Sequence, residues 1–439
     1  MITIVIDNSY CQAVGMTGIE FSKLRALLSY EPDANTKFFG GYRGSNKKYL
    51  IDAKGFFPTG LLTTVLEFLI SAKILVDVDD KRSIPTTKRQ VKFNFQLKGI
   101  LPYATQKAAI QALKDEPRGT ISMPTGSGKS LVIAMLIAEK ALRTLVVVPT
   151  LNIKNQLTES LHSHFGNTAH ITVENIDSAK LKKASDYDML VVDEGHHAAA
   201  KTYHKLNKGP WKNIYHRYFL TATPYRNVAS EHLLLKAITG DIVYGLTYIE
   251  AVAAGQIVPV ESFVVDVPTQ NTEAYTYAEV YSQLVVNNGP RNEIIAGMLI
   301  SLDAIEKATL CLVKEIKHGQ ILSALTGMPF VCGEDEESKD YIRQFNSGGI
   351  RCLIGTNGVL GEGVDTKPAE YVIIAGLGKA RSAFQQQVGR GVRKFNDKES
   401  AKIILLRDKS HKFTLRHYRE QAKILKEEYG TDVVKLEVE

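Results

Sequence analysis

Eight residues, Met123-Pro124-Thr125-Gly126-Ser127-Gly128-Lys129-Ser130, stand between a short apolar run (Thr120 to Met123) and a helix-like one (Leu131 to Leu142). A strand that turns through glycines into a helix is the setting a phosphate-binding loop needs. Gly126 and Gly128 let the backbone curl so that its N–H groups, with those of Thr125 and Ser127, face an anion, and the helix N-terminus adds its dipole. Lys129 is spaced to reach β and γ phosphates, and the Ser130 hydroxyl to hold Mg²⁺. Met123 fills the first glycine position of the G-x-x-x-x-G-K-[ST] pattern, which is tolerable because only the later glycines crowd the phosphate. Further along, the apolar run Met189 to Val192 ends in Asp193-Glu194-Gly195-His196. A carboxylate there can hold the metal through water (Asp193), and the next can orient the attacking water (Glu194). In Gln385-Gln386-Gln387-Val388-Gly389-Arg390-Gly391-Val392-Arg393, Arg390 and Arg393 lie at i and i+3. That spacing predicts one shared helix face, from which both guanidinium groups could serve a γ-phosphate.

These residues need parallel sheets to hold them. Thr120 to Met123, Thr144 to Val148, Met189 to Val192 and Tyr218 to Leu220 read as strands alternating with helical segments. A second series runs through Thr309 to Val313, Pro329 to Cys332, Cys352 to Gly355, Tyr371 to Ile374 and Lys402 to Leu406. Such alternation marks helix-covered, mostly parallel sheets. Between the series, residues 225 to about 300 read as mostly helical and polar. Residues 1 to about 95 mix short apolar runs with turn signals such as Gly40-Gly41. The expected organisation is α/β: an N-terminal α+β domain over 1–97, one lobe over 98–262 and another over 263–439.

Composition agrees with that division. The 439 residues, at roughly 150 residues per domain, suggest about three domains. A hydrophobic fraction of 44% with 23% charged residues is globular and excludes a disordered scaffold or a disulfide-stapled miniprotein. Gly60 to Val78, interrupted by Glu67, Lys73 and Asp77, reads as a buried amphipathic helix, not a membrane span. With no secretory signal pattern at the N-terminus, the expected location is the cytoplasm. The four cysteines lack metal-ligand spacing, so no structural metal is expected. Net charge is +7, and residues 1–100 hold 14 Lys and Arg against 9 Asp and Glu. A basic excess gathered in one region favours a polyanion such as nucleic acid.

The ordered set Gln106, Met123 to Ser130, Val148-Pro149-Thr150, Asp193 to His196, Thr221-Ala222-Thr223-Pro224, Gly361 to Asp365 and Gln386 to Arg393 resembles superfamily 2 helicases and translocases over roughly residues 98–410. The resemblance implies two RecA-like lobes, ATP with Mg²⁺ in the cleft between them, and nucleic acid across their top. It implies that Gln106 reads the adenine edge and that Gly363 and Asp365 approach the nucleotide. His196, Thr221, Thr223 and Gln386 would couple hydrolysis to movement. Thr150 and Thr356, then Lys314 and Lys317, would meet the strand's phosphates. Ile171 to Ser178 matches the family's next contact motif only loosely.

Phe21 to Arg25, Leu28 to Ala34 and Phe57 to Leu61 are similar to the N-terminal domain of UvsW-type phage branch-migration helicases. There the domain helps grip duplex DNA at a branch. Lys37, Arg43, Lys47, Lys48 and Lys54, interleaved with Phe38, Phe39 and Tyr42, fit a phosphate-gripping hairpin. Pro32-Asp33 followed by Asp52-Ala53-Lys54 imitates a metal-dependent nuclease signature, but the match is short and no nuclease-sized domain surrounds it. The expectation is an ATP- and Mg²⁺-dependent DNA helicase acting on forked or branched DNA, within a host cell's cytoplasm if the source is a phage. Alternatives are an RNA helicase, a restriction-type translocase, or a branch-recognising binding module whose ATPase does no unwinding.

Overall fold

Alternating buried and half-buried side chains along Ile2–Ile6 form the first strand of a computed structural model. The structure describes residues 1–31, 47–84, 90–179, 182–199, 206–223, 229–333, 336–360, 366, 368–376, 378 and 380–436. It comprises two units, Met1–Met123 with Ser130–Gly245, and Pro124–Lys129 with Leu246–Glu439.

In the first unit, β1 (Ile2–Ile6), β2 (Tyr10–Val14), β5 (Phe56–Pro58) and β6 (Val76–Asp80) make a mixed sheet in the order β5-β2-β1-β6. β3 (Ser29–Tyr30) and β4 (Lys48–Tyr49) form a separate antiparallel pair. The helix expected over Gly60 to Val78 is shorter, Leu62–Ser71. Lys73, at φ +56°, turns the chain out of the helix, and β6 follows. The apolar run was continuous enough to hide that turn.

The second sheet of this unit contains β7 (Arg118–Ser122), β8 (Thr144–Val148), β9 (Ile171–Asn175), β10 (Met189–Val192), β11 (His216–Thr221) and β12 (Ile242–Gly245). Its order is β12-β7-β11-β10-β8-β9, with every pair parallel. β8 and β10 are buried along their whole lengths, the reason they read as unbroken apolar runs. Fully buried Arg217 ties the segment over the sheet to β11, donating to Trp211 O (2.8 Å), Leu206 O (2.6 Å) and Asn207 Oδ1 (2.5 Å).

The small N-terminal sheet is built onto this parallel sheet. Its core of Ile4, Phe57, Leu61, Val65 and Leu69 also takes Leu233 and Ala237 from the helix Ala229–Thr239. Asn8 Nδ2 donates to Asn213 O at 2.7 Å, and Arg118 Nη1 to Ile238 O at 2.7 Å. A Cβ on Gly60 would meet Lys236 O at 2.2 Å, so only glycine permits this approach.

The second unit holds β13 (Val260–Val267), β14 (Thr309–Val313), β15 (Phe330–Val331), β16 (Cys352–Thr356), β17 (Tyr371–Ile374), β18 (Ala401–Asp408) and β19 (Val434–Lys435). The order is β15-β16-β14-β17-β18-β13-β19, again all parallel. β12 and β13 correct the helical reading of residues 225–300. β13 pairs with β18 from Val260↔Ala401 to Val267↔Asp408, placing it inside the sheet. Its two acidic residues, Glu261 and Asp266, disguised a strand whose other positions are largely buried.

Candidate active site

Parallel pairing brings the C-terminal ends of β7, β8, β10 and β11 to one edge of the first unit's sheet, where open α/β sheets bind ligands. Beyond β7, Met123 N donates to Thr221 O at 2.9 Å, locking the start of the glycine loop to the end of β11. Gly126 and Gly128 have φ of +86° and +83°, conformations that a side chain would strain. Ser127 is buried and closes the loop on itself, its Oγ donating to Pro124 O at 2.7 Å. The helix Lys129–Lys140 then begins, anchored by buried Val132, Ile133, Leu136 and Ile137. Lys129 is half-buried, whereas Ser130 and Gly128 are exposed. A rigid turn at a helix N-terminus, with its lysine and hydroxyl unburied, fits a triphosphate and its metal.

Asp193 and Glu194 follow β10. Asp193 is buried, and its Oδ1 accepts from Glu194 N at 2.9 Å. Glu194 adopts φ +48°, a left-handed conformation uncommon for a non-glycine residue and often found where a side chain must be aimed. His196 Nδ1 lies 3.3 Å from Glu194 Oε2 and 3.1 Å from Thr221 Oγ1. Thr223 N donates to the same Thr221 Oγ1 at 3.1 Å. Glu194, half-buried, and His196, Thr221 and Thr223, buried, thus form a polar chain from β10 to β11. The Nδ1 position allows two arrangements. Protonated, it donates to the Glu194 carboxylate; unprotonated, it accepts the Thr221 hydroxyl.

Other expected residues are placed differently. Gln106 is buried, and its Oε1 accepts from Tyr103 N at 3.0 Å, capping the helix Ala104–Leu113. Thr150, two residues past β8, caps the helix Leu151–Phe165, accepting from Ile153 N at 3.3 Å. Lys47 and Lys48 are exposed, Lys48 in β4 opposite Tyr30, so the stem of the basic hairpin is formed. The Arg25 guanidinium lies 4.2 Å from the Tyr49 ring centroid beside that stem, an aromatic–cation contact the sequence pattern did not single out. Arg43, Lys37, Phe38, Phe39 and Tyr42 lie outside the described residues, as do Gly363 and Asp365. Asp52 uses Oδ1 to accept from Lys54 N (2.8 Å) and Phe56 N (2.9 Å), the bonding of a turn.

In the second unit, Thr356 ends β16 and is buried, while Lys314 and Lys317 are exposed just after β14. Lys314 Nζ lies 5.2 and 4.9 Å from the ring centroids of Tyr277 and Tyr281. Gln386 and Arg390 are buried on the helix Arg381–Gly391. Arg393 is not on that helix, contrary to the i, i+3 expectation. The chain leaves the helix at Gly391, and Arg393 forms an antiparallel bridge with Ile257. Two glycines flanking Arg390 favour this early exit. Lys398 holds the helix end, donating to Gly391 O at 2.8 Å and Ala369 O at 3.0 Å. Burial, with the Arg393 charge beside it, lowers its pKa to about 8. One polar pairing was not foreseen: Gln387, part of the motif but given no role, donates through Nε2 to Asn357 Oδ1 at 2.7 Å. Their separation in the chain left no sequence signal.

Residues 99–186 match the family model described as type III restriction enzyme, res subunit, and residues 303–395 that of the helicase conserved C-terminal domain. The chain is 23% identical over 436 residues to the ATP-dependent DNA helicase uvsW of Enterobacteria phage T4, covering 87% of this chain and 86% of that protein. It is 25% identical over 361 residues to the DNA 3'-5' translocase XPB2 of Sulfurisphaera tokodaii, covering 69% and 80% respectively. Among solved structures, S. cerevisiae Dbp5 bound to RNA and ADP BeF3 has a TM-score of 0.56 at 15% identity, covering 77% of this chain and 91% of that one. That likeness is one of fold, with two RecA-like parallel-sheet lobes.

Proposed function

We propose that this chain, a superfamily 2 DNA helicase resembling the UvsW-type phage enzymes, couples ATP hydrolysis to movement on forked and junction DNA. The observation that carries the reading is the polar chain Glu194–His196–Thr221–Thr223, at the sheet edge where β7 runs into Met123, the residue that opens the glycine loop. It supplies a carboxylate for the water and a route by which its state reaches β11. The loop N–H groups and Lys129 bind the β and γ phosphates. Ser130 and Asp193 would hold Mg²⁺, Asp193 through water, and the bound ion would neutralise charge on the phosphate oxygens. Glu194 orients the attacking water and takes its proton. Arg390 and Arg393 serve as guanidinium donors to the γ-phosphate, with Gly363 and Asp365 as further nucleotide contacts. Thr150, Thr356, Lys314 and Lys317 meet strand phosphates, while Arg43, Lys47 and Lys48 grip the branch. The place of work on this reading is the cytoplasm, the host's if the source is a phage.

Steady-state ATPase with single-stranded DNA, linear duplex, a fork, a four-way junction and RNA tests this, with Lys129→Ala as the blank. Forks and junctions should stimulate most, and the blank should be inactive. Stimulation by RNA alone, or by none of them, would refute the branched-DNA assignment.

A further inference from the structure

At the C-terminal edge of the second unit's sheet lies a cavity of about 560 Å³, within the 300–1,000 Å³ usual for small-ligand sites. Five separated parts of the chain line it. Phe384 and His417 are its buried aromatic residues. The rings of Tyr277 and Phe413 meet edge to face, centroids 5.9 Å apart at 82°. Lys314 and Arg416, both exposed, bring positive charge, and no carboxylate lines it among the described residues. Asn357 completes the set. Its Oδ1 already accepts from Gln387, and its NH₂ adds a donor.

Aromatic faces, two cations and an amide donor without an acid select a flat aromatic ligand carrying an anion. A nucleobase with its phosphate has that chemistry, and single-strand-binding sites use the same combination. Position narrows the source. Lys314 directly follows β14 and Asn357 directly follows β16, at the carboxyl ends where parallel sheets take ligands. Thr356 and Lys314 are also the residues assigned above to strand phosphates.

We propose that this cavity receives one base swung out of the bound strand, packed against Tyr277 and Phe413, with its phosphate on Lys314 and Arg416. The proposal rests on the DNA-motor reading and deepens it. A base held there cannot be paired, so the pocket separates single strand from duplex without reading sequence and gives the second unit a hold on one nucleotide.

The test is an abasic scan. A partial duplex, whose junction fixes the register, carries one abasic position moved along its single-stranded arm, and affinity is measured for the full chain. One position should weaken binding about tenfold. Phe413→Leu, which keeps apolar bulk but removes the ring, should bind intact and abasic strands equally. Arg416→Ala changes an exposed residue and should lower the log–log salt slope by about one. Tight binding with a flat scan overturns the pocket and leaves the motor standing. A penalty that persists in Phe413→Leu also overturns it. A flat scan with saturable binding of deoxyadenosine monophosphate, lost in Phe413→Leu, overturns the strand assignment in favour of a free nucleotide. Failure to bind any DNA overturns both readings.

Discussion

His196 Nδ1 has two neighbours within 3.3 Å, a carboxylate and a hydroxyl, and one proton decides which it serves. Glu194 reaches it only because its backbone takes a left-handed turn, and Thr221 because β11 ends where it does. On the proposed mechanism, hydrolysis would change the charge that Glu194 faces, and this imidazole lies 3.3 Å from its Oε2. Thr221→Val keeps side-chain shape but removes the hydroxyl that Thr223 N and His196 Nδ1 both address. Loss of such a buried partner costs about 1–3 kcal/mol. The variant should bind nucleotide like the parent, yet displace about tenfold less DNA strand per ATP hydrolysed. Parallel measurement of ATP turnover and strand displacement checks this, and an unchanged ratio would remove Thr221 from the coupling path. The glycine loop, Asp193 to His196 and Thr221 were legible in sequence because they sit at or just past strand ends, where apolar runs stop abruptly. Gln106 shows the limit. Its type and position were readable, but the capping bond to Tyr103 depends on local backbone geometry.

Elements were read well where burial on both faces gives a long apolar run, as in β8, β10 and β14. They were read poorly where burial is mixed. β13 carries acids at Glu261 and Asp266, yet eight residue pairs with β18 hold it in the sheet. Asp266 is itself satisfied by Arg407, whose Nη2 donates to it at 2.7 Å, a pairing across 141 residues that no local pattern announces. The Arg390 helix was read too long because spacing alone predicts a face and says nothing of where glycine lets the helix stop. The union of the N-terminal sheet with the helix Ala229–Thr239 was equally hidden. It can be probed at Gly60, where an added Cβ would press on Lys236 O at 2.2 Å and Ala237 O at 2.6 Å. Gly60→Ala should destabilise the first unit by about 1–3 kcal/mol, the usual cost of overpacking. A urea midpoint identical to the parent's would show that this approach is looser than the geometry requires.

For the molecule as a whole, one buried and one half-buried histidine set an acid limit to stability. His318 is fully buried, with Nε2 3.0 Å from Asn292 Oδ1. Burial, reinforced by the Arg291 charge, pushes its pKa down to about 3. Burial, with Lys140 repelling a second positive charge, lowers His216 to about 4. Both are therefore neutral in the fold while the unfolded chain takes up protons below about pH 6.5. Stability from keeping them neutral is present above that pH and is lost as pH falls toward 4 and then 3. Urea midpoints should drop between about pH 7 and about pH 5, and His318→Gln should lessen the drop. An equal drop in parent and variant would show that other groups carry it.

The helix Ala229–Thr239 lends Leu233 and Ala237 to the N-terminal core, while Leu235 and Ile238 face the core of the parallel sheet. One helix is thus a party wall between two rooms. A module joined by a linker can be traded between lineages intact, but trade here would have to bring half a wall along. Descent should therefore have kept the first sheet and this helix in step, with changes at residues 233 and 237 answered at Phe57, Leu61 and Val65. In this chain the N-terminal sheet and the parallel sheet are one heritable piece.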